Sequence, residues 1–104
     1  MVVKILYKLY KKEGLTREEF VDRWLKVVKP FGKQAPGIKK WVSNVVVSSQ
    51  GEDPGYIVSG EIWFDSLKEM KETLSSPAAK EALAEAPKLT SKETNVIVEE
   101  YVIK

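Results

Sequence analysis

The chain contains neither cysteine nor histidine. Without thiols, a disulfide framework, a thiolate nucleophile, an iron–sulfur cluster and a cysteine-ligated zinc site are all excluded. Without imidazole, the usual general base, the usual haem ligand, the Ser-His-Asp triad and the histidine-carboxylate iron site go as well. No apolar run reaches the roughly 18 residues of a bilayer span, so a membrane is not an expected partner. The N-terminal MVVKILYKLYKKEG lacks a small-residue cleavage site, and a cytoplasmic location is the default expectation.

One-sided charge is absent too. Lys and Arg number 17 against 15 Asp and Glu, for a net charge of +2. Lys8, Lys11 and Lys12 form the one local basic cluster, which reads as a solvated strand end, so nucleic acid is not an expected partner. There is no glycine-rich phosphate loop. The adjacent acidic pairs Glu52–Asp53 and Glu99–Glu100 diverge, most of all on a strand, where neighbours point to opposite faces. No metal and no cofactor are expected.

What is present suits a single domain over residues 1–104, 43% hydrophobic and just long enough for one core. Val3 to Tyr10 alternates Val3, Ile5, Tyr7 and Leu9 with Lys4 and Lys8, a strand pattern. Thr16 and Glu19 form a capping-box pair, which predicts a helix from Arg17 to Phe31, stopped by Pro30 and Gly32. Ile38 to Ser48 reads as a second strand, Tyr56 to Phe64 as a third, with Gly60 marking a bulge or a close backbone approach. Asp65 is the expected cap of SLKEMKETL, and Ser76–Pro77 opens the helix PAAKEALAEA. After the polar PKLTSKET, Asn95 to Ile103 is the expected last strand.

This β-α-β-β-(α-α)-β order predicts an α+β, ferredoxin-like sandwich. Helices can cover only one face of its sheet. The other face carries apolar residues in any register, so a twofold homodimer through that sheet face is expected.

The helix FVDRWLKVVKPFG places Phe20, Trp24, Val27, Val28 and Phe31 on one side. That stripe is either plain core or the wall of a pocket. With KKEGLTREEF before it, then APGIKKWVSN, EIWFDSLKEM, SPAAKEAL and VEEYVI, the chain resembles over essentially its full length the EthD family of dimeric α+β barrel proteins. Family members usually carry F-x-x-x-W-x-x-x-H-x-P on this helix. Phe20, Trp24 and Pro30 match, and Val28 stands at the histidine position.

The resemblance implies a cavity between sheet and helices in each subunit, with the two sheets packed in the dimer. It also implies cofactor-independent chemistry of a lyase, cyclase or monooxygenase-like kind. Valine at position 28 removes a proton carrier that titrates near neutrality.

The expected ligand pocket comprises Phe20, Trp24, Val28, Phe31 and Trp63, for a small hydrophobic or aromatic molecule. Candidate catalytic groups are Tyr7, a hydroxyl on an apolar wall; Asn44, an amide on a strand of valines; and Glu61, a carboxylate among apolar residues. Tyr10, Tyr56 and Tyr101 offer the same hydroxyl, each against the reading of a half-buried strand tyrosine. Asp22 reads as solvated and Lys29 as complementing the helix dipole. The rival reading is a catalytically silent dimeric scaffold in which Val28 and its neighbours fill the cavity. Bearing on both readings, the lack of Cys and His, the Lys and Glu content and the well-formed caps have the character of a thermophile or engineered sequence.

Overall fold

Strand β1, Val3–Lys11, buries Val3, Ile5, Tyr7 and Leu9 on one face, as its alternation predicts. A computed structural model supplies the coordinates and describes residues 2–104. The connector to the first helix turns at Gly14, whose φ of 92° glycine adopts without strain.

Helix α1, Arg17–Gln34, starts with the expected capping box. The Glu19 N–H donates to Thr16 Oγ1 at 3.1 Å, and the Thr16 N–H donates to Glu19 Oε1 at 3.0 Å. The helix does not stop at Pro30 but runs on to Gln34. Pro30 and Lys26 are both exposed, so the carbonyl that Pro30 leaves without a donor lies on the solvent side of the helix. Phe20, Trp24 and Val28 are the buried stripe.

Strand β2, Lys40–Val45, is shorter than expected, and Val47 is 89% exposed. Its partner β3, Val58–Phe64, begins late because the intervening loop folds on itself: the Gly55 N–H donates to Asp53 Oδ1 at 2.8 Å. Helix α2, Leu67–Leu74, is capped by Ser66 and not by Asp65. Ser66 Oγ accepts the Glu69 N–H at 3.1 Å, while Asp65 reaches back to pair with Lys39 at 3.0 Å.

Ser76 caps α3, Pro77–Leu83, as expected, but the following residues break into a separate short turn, α4, Ala86–Leu89. Strand β4 is Thr90–Glu99 and not Asn95–Ile103. It is an edge strand paired only with β1, so polar Ser91, Lys92, Glu93 and Thr94 sit in it without being buried.

The strands form one antiparallel sheet in the order β2-β3-β1-β4. β3 lies between β1 and β2, which is the split βαβ arrangement of a ferredoxin-like α+β fold. The register builds rows across the sheet. Ser43 pairs with Gly60, Gly60 with Tyr7, and Tyr7 with Asn95. The adjacent row is Trp41, Ile62, Ile5 and Ile97. Both rows belong to the face the helices cover. The opposite face carries Lys4, Leu6, Val42, Asn44, Glu61, Trp63 and Val96.

Candidate functional site

Tyr7 points from the middle strand into the layer between sheet and helices and is 5% exposed. Its direction is decided by its neighbour in the row. A Cβ at residue 60 would fall inside the Tyr7 ring, so only glycine lets the phenol lie across β3 toward β2. The register passes through Gly60 unbroken, so of the two expected roles the close approach is the one seen.

There the Tyr7 and Ser43 hydroxyls share a hydrogen bond. The Trp41 indole N–H donates to Tyr7 Oη at 3.0 Å, and the Trp24 indole N–H donates to Ser43 Oγ at 3.4 Å. The Tyr7 and Trp24 rings meet edge to face, with centroids 5.9 Å apart. Burial pushes the Tyr7 phenol above its ordinary value, and the hydrogen bonds with Ser43 and Trp41, together with the nearby Trp24 N–H, oppose that shift. At neutral pH the phenol keeps its proton and can donate it.

Tyr7 also lines a cavity of ≈ 350 Å³ between sheet and helices. Its walls are Trp24 from α1, Trp41, Ile62, Ile5 and Leu9 from the sheet, and Leu74, Leu83 and Ala86 from the helices. Glu93, Asn95 and Ile97 of the edge strand form its mouth, and all three are exposed. Aliphatic and aromatic walls with a few convergent polar groups are what a site for a small organic molecule requires.

The EthD domain matches residues 12–93. The chain belongs to the EthD family.

Solved structures share the fold. A hydroxynitrile lyase from Passiflora edulis is 22% identical, covering 97% of this chain and 96% of that one, with a TM-score of 0.79. An EthD family protein from Bacillus halodurans is 20% identical, covering 97% and 100%, with a TM-score of 0.77. A dimeric ferredoxin-like protein of unknown function from Thermobifida fusca is 12% identical, covering 94% and 90%, with a TM-score of 0.79. At these identities the likeness establishes the ferredoxin-like fold. No curated protein matches the chain.

Within this EthD-family fold the residues singled out in the sequence are dispersed. Trp24 lines the cavity beside Tyr7. Phe20 is wholly buried core. Val28, at the position where the family usually has histidine, is also buried, at 6% exposure. It lines a separate opening of ≈ 260 Å³ between α1 and β2, together with Leu25, Lys29, Trp41 and Ser43. Phe31 packs edge to face on Trp41 and lines a cleft of ≈ 520 Å³ at the end of α1. That cleft is the larger one; it gathers loop residues, the exposed Glu72 and the half-buried Glu69, whose Oε2 is buried without a hydrogen-bond partner, but Tyr7, Ser43, Trp24 and Trp41 do not line it.

Trp63, Asn44 and Glu61 lie on the opposite sheet face. Glu61 accepts from Lys4 Nζ at 2.7 Å, and Lys4 also bonds Glu100 at 3.1 Å. The Trp63 N–H donates to Glu100 Oε1 at 3.0 Å. The bond to Glu61 holds the Lys4 ammonium above its ordinary value, and the Trp63 N–H holds Glu100 below its own. Asn44 is exposed in a shallow opening beside Leu6, Tyr56 and Val96.

Ser43, Asn95 and Glu93 were not singled out in the sequence. Their signal was parity: each belongs to the inward set of its strand, but that set is fixed only once the strands pair. Among the described residues no group of three or more acidic side chains is placed to hold a metal ion, and no helix is long and apolar enough to cross a membrane.

Proposed function

We propose that this EthD-family chain is a homodimer whose inner cavity binds a small aromatic or hydrophobic molecule. Tyr7 orients the polar end of that molecule and serves as the proton donor in a cofactor-independent, lyase-type or cyclase-type reaction. The observation that carries this reading is the buried Tyr7 hydroxyl, held by Trp41 and Ser43 at the wall of the ≈ 350 Å³ cavity. Its volume lies in the range of about 300–1,000 Å³ usual for small-molecule sites. Burial favours the neutral phenol, which suits Tyr7 to give a proton and not to take one at neutral pH. The lyase among the structural relatives is consistent with proton-transfer chemistry on this scaffold.

Dimerisation through the outer sheet face is supported by the relative described as dimeric and by apolar surface left uncovered in the single chain. Val96 is 54% exposed on that face, and Tyr101, Val102 and Ile103 beyond β4 are 78%, 79% and 93% exposed.

The scaffold reading rests on Val28, a buried aliphatic side chain where the family usually carries a proton carrier. A thermal-shift screen of small aromatics separates the two. A compound at about 100 times its Kd stabilises the fold by about 2.7 kcal/mol, a shift of many degrees for a domain of this size. If no aromatic compound raises the melting temperature of the wild type, the pocket reading fails and the scaffold stands.

A further inference from the structure

Glu69 is a carboxylate that its own helix leaves without a partner. In α1 the capping box is complete, because the Thr16 N–H donates back to Glu19. The same spacing in α2 gives only half of it: Ser66 Oγ accepts the Glu69 N–H at 3.1 Å, and the Glu69 carboxylate takes no bond from the Ser66 N–H. Glu69 Oε2 is instead buried without a hydrogen-bond partner, alone in this among the side-chain oxygens and nitrogens of the described residues. Lys39 feels the Glu69 charge, but its ammonium is bonded to Asp65 at 3.0 Å. A buried acceptor left without a donor is a standing cost to the fold, more so when it is charged.

This side chain belongs to the wall of the ≈ 520 Å³ cleft at the end of α1. Gly37 shapes that wall. A Cβ at residue 37 would collide with Thr73 Oγ1, so only glycine lets the loop after α1 lie this close to α2. Thr73 Oγ1 makes no hydrogen bond among the described residues, whereas Ser76 Oγ already donates to the Thr73 carbonyl at 2.7 Å. Phe31, Ala35, Pro36 and Ala78 give the cleft an apolar side. Glu72 adds a second carboxylate, which lies 4.0 Å from Lys68 at the surface. Among the described residues no lysine or arginine lines the cleft.

We propose that this cleft is a second binding site, separate from the inner cavity, for a small primary amine in its ammonium form carried on an apolar body. The ammonium gives Glu69 Oε2 the donor it lacks; rotation about the last side-chain bond, which is soft for a carboxylate, turns the oxygen to meet it. With three N–H groups, the ammonium has donors left for Thr73 Oγ1 and Glu72. The body packs on Phe31 and Pro36. An anion meets two carboxylates and no countercharge, and a neutral ligand forgoes the charged bond, so the site selects by charge.

The test compares phenethylamine with phenethyl alcohol, in which a hydroxyl replaces the ammonium, in titrations of the ¹⁵N-labelled chain. The amine shifts the amide signals of Gly37, Glu69 and Thr73 saturably. It binds at least about tenfold tighter than the alcohol, the factor that a hydrogen bond to a charged group supplies. Glu69→Gln keeps the shape of the side chain, abolishes that preference and leaves the affinity for the alcohol unchanged. The wild-type comparison alone decides the matter should Glu69→Gln fold poorly. Equal affinities for the two compounds, a preference that survives Glu69→Gln, shifts confined to the indoles of Trp24 and Trp41, or no saturable shift with the amine each overturn the site. None of these results touches the reading of the inner cavity, which is tested by uncharged aromatics.

Discussion

Tyr7 and Gly60 are paired across β1 and β3, and the phenol ring occupies the volume a side chain at residue 60 would fill. The tyrosine is therefore steered toward Ser43 by the missing side chain of its neighbour. Gly60→Ala destabilises the fold by about 1–3 kcal/mol through overpacking. In a Tyr7→Ala background the same substitution costs much less, and that coupling, read from urea denaturation of the four proteins, is the check. An additive pair would place the ring elsewhere.

Ser43→Ala removes the oxygen that accepts from Trp24 and takes part in the bond with Tyr7. The Trp24 N–H is then left without its acceptor in a layer where Trp24 is 3% exposed. A loss of about 1–3 kcal/mol follows, seen as a lower urea midpoint with an unchanged slope.

Tyr7 gives a pH signature. Its native value is raised by burial, so the folded state holds the proton longer than the unfolded chain. Its contribution to stability is complete below the ordinary value of 10.0 and is lost as pH rises through the raised native value. The difference between the 295 nm titrations of wild type and Tyr7→Phe isolates this group, and its midpoint lies above 10.0. A midpoint at or below that value would mean that water reaches the phenol.

The outer face carries the dimer prediction. Val96 projects from β4 next to Leu6 of β1 and is half exposed in the single chain. Val96→Asp leaves the fold intact and shifts the protein to monomer at micromolar concentration, measured by sedimentation velocity with circular dichroism as the folding control. A wild type that is monomeric under the same conditions contradicts the homodimer.

The sequence carried the fold further than the site. Alternation in β1 identified its buried face, the Thr16–Glu19 pair located the start of α1, and Ser76–Pro77 located α3, because each signal is local. Pro30 misled because its effect depends on which side of the helix is wet. The polar Ser91 to Thr94 concealed half of β4 because an edge strand need not be apolar. The site is less legible still. Ser43, Gly60, Tyr7 and Asn95 form one row only through the pairing of strands far apart in the chain. Trp63 and Trp41 looked alike in sequence, and register put Trp41 in the cavity wall and Trp63 on the opposite face.

The three tryptophans test the central claim most directly. Trp24 and Trp41 line the cavity, and Trp63 lies across the sheet with its N–H on Glu100. In a ¹⁵N-labelled sample titrated with acetophenone, the indole N–H signals of Trp24 and Trp41 shift saturably while that of Trp63 stays in place. A titration to saturating acetophenone that moves only Trp63, or none of the three, contradicts a ligand site between sheet and helices.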